Sequence, residues 1–369
     1  MAYPGNTVSK IKTLNASFLV VGTSIGAAIL GLPVETGRGG FLPSLLLLFL
    51  NWCIMTGTAL LLVEVLAKNK INANFISLSD KILGKSFKLI TFFVYIALFL
   101  SLIFAYVKGG GVYIADIANS IPITLGCLIF LIFFVPLIVF GAKVLSIGNT
   151  FLTIVLMGSF ALLIFLGISK ISPSLLEHMD WKLGWLSFPM YITSFGFHSV
   201  LPSLNTYLDN KKSLRLAVII GTSITFLIYV IWQLVVMGIV PLHGTPSLSE
   251  ALSADQTAIT PLKFYLKSSL LSFCAQAFYF TAITTSFLGV ALGLIDFLLD
   301  SFGIKPKLIN RLFLCLVIFL PALWLAQTSL RVFYLSLKYG GGFACLYLLV
   351  FLPIALFLKN RRFKFRLFN

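Results

Sequence analysis

Residues 23–33 read TSIGAAILGLP, and residues 193–202, about 170 positions later, read TSFGFHSVLP. Both stretches place glycine and proline inside apolar runs that are long enough to cross a bilayer. A transmembrane helix satisfies its own backbone hydrogen bonds, and an interruption at its centre leaves N–H and C=O groups without helical partners. Such groups are tolerated where they are buried in protein or line a cavity. A matched pair of interrupted segments therefore predicts a transporter-like ligand site between them.

The composition predicts an integral membrane protein. The chain is 59% hydrophobic and only 10% charged, whereas soluble domains are roughly 45–50% apolar and about 25% charged. Its apolar runs predict about ten transmembrane helices, of which the first and sixth are broken. We expect these spans at about 14–34, 41–67, 89–108, 124–141, 144–169, 186–206, 214–240, 264–299, 309–327 and 331–358.

The formal net charge is +16. We interpret the basic residues as lying at the membrane surface, and no nucleic-acid partner is expected. Counted along the predicted alternation, 19 of the 27 basic residues fall on one side of the membrane. Because basic residues are retained in the cytoplasm, both termini are predicted to be cytoplasmic. The five cysteines lie within or at the edge of spans and are interpreted as packing residues, with no metal site and no disulfide.

The organisation predicts one transmembrane domain over residues 1–369, made of two halves at about 1–170 and 171–369. Each half has five predicted spans, so the second starts from the opposite side and the halves form an inverted repeat. The polar segments 68–88 and 109–123 are candidates for interfacial helices. Glycines 109–111 are predicted to end the third span. Glycines 340–342 are interpreted as a packing point or a hinge.

The broken helices predict the chemistry of the site. A half-helix that begins at mid-membrane offers N–H groups to a carboxylate, and one that ends there offers carbonyl groups to an ammonium group. An amino acid zwitterion needs both. Candidate carboxylate donors lie near residues 26–28, and candidate ammonium acceptors lie near Val21, Gly22, Phe195 and Gly196. The alternative is a pair of glycine kinks that only ease helix packing. The candidate substrate-binding residues are Gly22, Thr23, Ser24, Gly26, Ala27, Ala28, Thr193, Ser194, Phe195, Gly196, Phe197 and His198.

Three motifs carry a resemblance to a known family. Residues 22–33 resemble the first-helix motif of the tryptophan/tyrosine permeases, which are the aromatic amino acid branch of the amino acid–polyamine–organocation superfamily. Residues 193–198, followed by Pro202, are similar to the sixth helix of that family, and residues 285–290 and 293–297 to its eighth. The motifs follow the family's order and spacing through the whole chain.

The resemblance implies an all-α integral membrane protein with a LeuT-like 5+5 inverted repeat. It implies a secondary transporter, not an enzyme, that imports tyrosine or tryptophan by proton symport across the bacterial inner membrane. No cofactor and no obligate protein partner are expected, and the coupling ion is H⁺ or alternatively Na⁺. Members typically have an eleventh helix. This chain ends in a basic tail after the tenth, and we expect the ten-helix core to suffice for transport.

Four polar residues are candidates for ion coupling: His198, Glu64, Thr285 and Ser286. His198 is the only histidine within a predicted span, and it is expected to bind substrate, to accept the proton or to satisfy freed carbonyls. Glu64, like Asp296, is interpreted either as an inner-end ion pair or as a proton relay. The hydroxyl groups of residues 284–286 can contribute to a cation site or bond back to their own helix. Lys338 either reaches the membrane surface or stands inside the bundle.

Substrate preference follows from the scarcity of mid-membrane charge, which favours a neutral side chain. Five rings are candidates for stacking on the substrate: Tyr95, Phe99, Phe197, Phe278 and Phe280. Three other functions stay open at this point. They are a sodium-coupled transporter of another neutral amino acid, a channel that uses the breaks as a filter, and a membrane enzyme or lipid-handling protein. The absence of hydrolase and metalloprotease motifs weakens the last of these.

Overall fold

The computed structural model describes residues 4–26, 28–69, 75–118, 121–208, 210–254, 256–328 and 341–366, and its regular structure is entirely helical. In chain order the helices are α1 (Pro4–Ser24), α2 (Ala28–Thr36), α3 (Phe41–Asn69), α4 (Phe75–Leu78), α5 (Lys85–Ala118), α6 (Ile123–Val139), α7 (Ala142–Gly167), α8 (Trp181–Leu186), α9 (Phe188–Ser194), α10 (Leu201–Tyr207), α11 (Lys211–Ile239), α12 (Leu248–Ser253), α13 (Ile259–Leu266), α14 (Ser269–Ser301), α15 (Leu308–Thr328), α16 (Gly342–Cys345) and α17 (Leu352–Arg366).

Seven helices in the described part of the chain are each long and apolar enough to cross a membrane, and the bent pair α1–α2 makes an eighth span. Helix α6 is apolar but has only 17 residues. The predicted sixth span is divided among the short helices α8, α9 and α10, so no single helix covers it. The tenth is described only from residue 341 onward, where α16 continues through a π-helical turn into α17. In the residues that the structure describes, each of the ten predicted spans thus contains helical structure.

The long apolar run at 264–299 is resolved into two elements. Helix α13 ends at Leu266, and Lys267 adopts a left-handed conformation with φ of 48°. Helix α14 then runs for 33 residues, which at 1.5 Å per residue is about 50 Å and exceeds one bilayer thickness. The structure therefore confirms that this run is longer than one crossing.

The helices pack in two groups. In the first, α11 packs against α1 and α3, while α9 contacts α2 and α3. In the second, α5 packs against α6, α14 and α15, and α6 also contacts α15. Helix α7 lies mainly on α14, and α17 lies on α3. Both interrupted segments therefore belong to the first group, and the second group faces them as a wall.

The three glycines at 109–111 do not end a helix, and that prediction was wrong. Helix α5 continues through them to Ala118 because they allow α6 to approach closely. A Cβ atom on Gly111 would lie 2.2 Å from Cys127 Sγ, and one on Gly126 would lie 2.2 Å from the Gly111 carbonyl oxygen. Close backbone approach at small residues is a common form of packing between membrane helices.

The structure also describes two other segments for which the sequence made a prediction. Segment 68–88 contains a short helical element, α4, which continues as a π-helical turn at Ser79–Leu83. A Cβ atom on Gly342 would lie 2.6 Å from Pro189 Cβ, which confirms the packing interpretation for this glycine. Lys338 and Gly340 lie outside the described residues.

The α5–α6 contact predicts different effects for two glycine substitutions. Gly126→Ala is expected to lower the free energy of unfolding by about 1–3 kcal/mol, because the new methyl group meets backbone that cannot rotate away. Gly158→Ala is the matched control, since its Cβ position has open space. The measurement is the melting temperature of each purified variant in detergent. A Gly126→Ala protein as stable as Gly158→Ala would contradict the close-packing explanation.

Candidate functional site

The first break lies between α1 and α2. Ile25 N–H donates to the Val21 carbonyl at 2.8 Å, and Gly26 N–H turns back to the Ser24 carbonyl at 2.9 Å. Helix α2 then begins at Ala28, and the N–H of its second residue, Ile29, donates to the Gly26 carbonyl at 3.2 Å. Ala27 lies outside the described residues. Two of the groups proposed from sequence, Gly26 N–H and Val21 C=O, are thus already used within the chain.

The second break follows α9. Phe195 leaves the helical conformation, with φ of −108° and ψ of 38°. Phe197 N–H donates to the Phe195 carbonyl at 3.0 Å. A short 3₁₀ turn begins at His198 and leads into α10 at Leu201. The chain at this break is therefore held by short-range turns instead of a continuous helical ladder.

The hydroxyl groups of the two matched Thr-Ser pairs bond back to their own helices. Thr23 and Ser24 donate to the Leu19 and Val20 carbonyls, at 2.7 and 2.8 Å. Thr193 and Ser194 donate to the Pro189 and Tyr191 carbonyls, at 3.0 and 2.7 Å. Such back-bonds bend helices slightly. Gly22 lies on the exposed side of α1, with open space at its Cβ position.

One tyrosine joins the two breaks. The hydroxyl of Tyr229, on α11, lies 2.6 Å from the Ser24 carbonyl oxygen and 2.6 Å from the Ser194 carbonyl oxygen. A hydroxyl carries one proton, so it donates to one carbonyl at a time. Its ring is fully buried and meets Phe195 edge to face at 5.3 Å. Tyr229 therefore ties together the ends of the two half-helices, and sequence reasoning did not find it.

Two more buried side chains support the interrupted backbone. Asn51, on α3, donates from Nδ2 to the Tyr191 carbonyl at 2.7 Å. Trp232, one turn from Tyr229 on α11, donates from Nε1 to the Ile29 carbonyl at 2.7 Å. Helices α3 and α11 thus supply polar partners to both broken segments. This is the satisfaction that hydrocarbon requires of freed backbone groups.

The facing wall is formed by α5 and α14. A Cβ atom on Gly26 would lie 2.9 Å from Ser286 Oγ and 4.0 Å from the Tyr106 hydroxyl. Ser286 and Thr285 donate to the Ala282 and Thr281 carbonyls, each at 2.8 Å, which confirms back-bonding for both. Glycine at position 26 therefore lets the first break touch a polar spot on the opposite helix group.

His198 is fully buried and turns toward α3. Its Nε2 lies 3.0 Å from Thr58 Oγ1, and its ring lies 4.6 Å from that of Phe197. Thr58 Oγ1 also lies 3.2 Å from the Met55 carbonyl, to which it can donate. In that arrangement Nε2 carries the ring proton and Nδ1 presents its lone pair. Within the described residues, Nδ1 has no hydrogen-bond partner.

The two acidic residues near the basic end are ion-paired, which confirms the ion-pair interpretation. Glu64 on α3 contacts both Lys211 and Arg215 at the start of α11. Asp296 near the end of α14 contacts Arg311 on α15. The partners are partly exposed, so such pairs contribute little to stability on their own. Their placement joins neighbouring helices within each of the two packed groups.

The candidate stacking rings are already packed against other aromatic side chains. Tyr95 stacks on Phe99 at 4.4 Å, and Phe278 meets Trp232 at 5.2 Å. Phe280 stacks on Tyr113 at 4.8 Å. The first contact lies within α5, the second joins α14 to α11, and the third joins α14 to α5. They do not form one continuous aromatic face beside the breaks.

Comparisons with known proteins identify the family. The model of the tryptophan/tyrosine permease family matches residues 9–368. The chain belongs to the tryptophan/tyrosine permease family. The tyrosine-specific transport system 1 of Haemophilus influenzae is 33% identical over 95% of this chain and 89% of that protein. The tryptophan-specific transport protein of the same organism is 29% identical over 95% of this chain and 88% of that protein.

A solved structure supports the fold. The crystal structure of MhsT in complex with L-phenylalanine matches with a TM-score of 0.63 at 15% identity, covering 94% of this chain and 97% of that chain. The LeuT-like helical fold expected from the sequence is thereby confirmed. The chain is a multi-pass membrane protein whose family relatives are bacterial transporters.

The double contact of Tyr229 predicts a stability effect. Tyr229→Phe is expected to lower the free energy of unfolding by about 1–3 kcal/mol, because buried carbonyl groups lose their donor. Tyr265→Phe is the matched control, since it also loses a hydroxyl that donates to a carbonyl, Pro246 at 2.8 Å, but at a partly buried site away from the breaks. Thermal unfolding in detergent would compare them. Equal losses would argue against a special role for Tyr229.

Proposed function

We propose that this protein imports an aromatic amino acid, tyrosine or tryptophan, by proton symport with alternating access. The observation that carries the proposal is the junction of the two breaks. There, Tyr229 bridges the Ser24 and Ser194 carbonyls while Gly26 touches Ser286 on the facing wall. The substrate class comes from the relatives, which include tyrosine-specific and tryptophan-specific transporters. No enzymatic activity is part of the proposal.

The substrate would bind between the ends of the half-helices. Its carboxylate would lie at the start of α2, beside Ala28, where the helix dipole favours negative charge. Its ammonium group would take carbonyl oxygens near Phe195 and Gly196, at the end of α9. A tyrosine or tryptophan ring would lie toward Tyr106 and Ser286, whose hydroxyl groups offer polar contacts. The zwitterion thus replaces the water that freed backbone groups otherwise need.

Alternating access would follow from the two helix groups. The group that contains α1, α3, α9 and α11 is tied together by Tyr229, Asn51 and Trp232, so it can move as a unit. The group that contains α5 and α14 meets it beside Gly26, and Phe278 of α14 also packs against Trp232 of α11. Rocking of one group against the other would expose the same site to each side in turn.

The proton is the proposed coupling ion, with His198 as its candidate acceptor through the Nδ1 lone pair. Sodium is the alternative, and one observation favours it. The Ser286 hydroxyl oxygen, which bonds back to its own helix, lies close to the first break at Gly26. A sodium-coupled transporter of another neutral amino acid is therefore the second candidate function. In both cases we place the protein in the bacterial inner membrane with both termini cytoplasmic.

Uptake into proteoliposomes tests the proposal directly. Labelled tyrosine and tryptophan are offered with an inward proton gradient, an inward sodium gradient, or neither. We expect saturable accumulation of at least one substrate with the proton gradient alone. Accumulation that needs sodium would establish the second candidate, and flux that does not saturate would indicate a channel. Absence of uptake of either amino acid by folded protein would reject the aromatic substrates.

Gly26→Leu is expected to lower uptake at least about tenfold, because the side chain would occupy the contact with Ser286. Gly57→Leu is the matched control, since its Cβ position on α3 has open space. Both variants are first checked for membrane insertion by fractionation of the membranes and for folding by size-exclusion chromatography. Wild-type uptake by Gly26→Leu would remove Gly26 from the transport site.

His198→Ala is expected to change the pH dependence of uptake or the apparent affinity, since it removes the proposed proton acceptor. Thr58→Val serves as the comparison, because it removes the Nε2 partner but leaves the imidazole. If the histidine carries the coupled proton, proton-driven accumulation falls strongly only in His198→Ala. Unchanged pH dependence and unchanged affinity would assign His198 a structural role.

A further inference from the structure

A groove lies on the outside of the bundle at its basic end, between α3, α11 and α17. Its volume is about 610 Å³, which is within the size range of sites that hold small ligands. Helix α3 packs against both α11 and α17, and all three helices contribute side chains to the groove. It opens to the surroundings of the bundle, because several of these side chains are exposed. The lining includes Leu60, Glu64, Lys68, Arg215, Ile219 and Phe357.

The α3 wall of the groove changes from apolar to charged along the helix. Leu60, Glu64 and Lys68 follow one another at four-residue intervals, and residues with this spacing lie on one helix face. Helix α3 ends at Asn69, so Lys68 stands at the mouth of the groove. Leu60 lies about 12 Å deeper, at 1.5 Å per residue. This wall therefore has a charged mouth and an apolar interior.

The α11 wall has the same order of side chains. Helix α11 begins at Lys211, and Lys211, Arg215 and Ile219 again share one face at four-residue intervals. The two basic residues stand at the mouth, and Ile219 lies deeper. Ile219 is 43% exposed, so it offers apolar surface to a molecule in the groove. Both walls thus match an amphiphile with a charged head at the mouth and a hydrocarbon chain below it.

The mouth of the groove carries an excess of positive charge. Glu64 contacts both Lys211 and Arg215. The Arg215 guanidinium has further N–H groups besides the one that contacts Glu64. Lys68 adds a third basic group, and its side chain has no ion-pair partner among the residues that the structure describes. Three basic side chains thus face one carboxylate, and the mouth attracts anions.

The adjoining stretch of chain does not supply such an anion. Residues 359–366, which follow Phe357 closely, contain five basic residues and no acidic residue. They add to the positive charge at this end of the bundle and do not balance it. The occupant therefore comes from outside this stretch and combines an anionic head with hydrocarbon. In a bilayer, that combination is an anionic phospholipid.

We propose that this groove binds an anionic phospholipid. The lipid phosphate contacts Lys68 and Arg215 at the mouth, and an acyl chain lies along Leu60, Ile219 and Phe357. Basic pockets between membrane helices are known sites for such head groups. The bound lipid joins α3, α11 and α17, in addition to the ion pairs that already join α3 to α11. The inference is independent of the transport proposal, because lipid binding is measured without uptake.

Native mass spectrometry of the full chain tests the site. The protein is stripped of lipid in a neutral detergent and titrated with dioleoyl phosphatidylglycerol or dioleoyl phosphatidylcholine, which differ in head-group charge but not in acyl chains. Wild type is expected to bind phosphatidylglycerol about tenfold more tightly than phosphatidylcholine, because two basic side chains contact the head group. Lys68→Gln is expected to weaken phosphatidylglycerol binding about fivefold and to leave phosphatidylcholine binding unchanged.

Lys85→Gln is the matched control. Lys85 is an exposed lysine at the start of α5, at the same end of the bundle and outside the groove. Its substitution is expected to leave the affinity for phosphatidylglycerol at the wild-type value. Equal affinity of wild type for the two lipids, or wild-type affinity in Lys68→Gln, would overturn the site.

Ile219→Ser distinguishes a lipid from a free anion. The side chain is exposed, so its replacement leaves the core intact while it removes a contact with the acyl chain. Phosphatidylglycerol binding is expected to weaken about threefold, and inorganic phosphate is expected not to displace the lipid. Displacement by phosphate, or unchanged lipid binding in Ile219→Ser, would assign the groove to a free anion and reject the lipid.

Discussion

Backbone polar groups cannot be left unpaired in hydrocarbon, and the two breaks free several of them at mid-membrane. The structure meets this constraint with buried side chains from two intact helices. Tyr229 serves a carbonyl in each break, Asn51 serves the segment before the second, and Trp232 serves the half-helix after the first. The order of the first helix group follows from these bonds. To make them, α11 must lie against both breaks and α3 against the segment before the second break.

The same bonds explain how two interrupted helices can form a stable binding site for a ligand. The carbonyl groups that accept hydrogen bonds from Tyr229, Asn51 and Trp232 lie on the α3 and α11 side of the site. These bonds hold the breaks in place. On the front of the site, the facing wall brings Ser286 and Tyr106 close to Gly26. A site built in this way is fixed by hydrogen bonds to the helix group that contains α3 and α11. Toward the other group it makes a close approach at Gly26 and ring packing between Trp232 and Phe278, both of which are compatible with repeated opening.

Two kinds of residue set the remaining contacts. Small residues let helices approach closely, at Gly111 and Gly126 between α5 and α6 and at Gly342 against Pro189. Charged pairs join helix ends near the basic side, at Glu64 and Asp296.

The sequence by itself determined the membrane class, the positions of the ten helical spans and the two matched breaks, because hydropathy and helix-breaking residues act locally. It also identified Glu64 and Asp296 as ion-pair candidates, since charges at span ends have few other uses. Only the tertiary structure decided the partners. Tyr229 is 205 residues from Ser24, and nothing in its local sequence marks it as the bridge. Glycines 109–111 carry the same local signal whether they end a helix or admit a neighbour. The neighbour, α6, decided between these two outcomes.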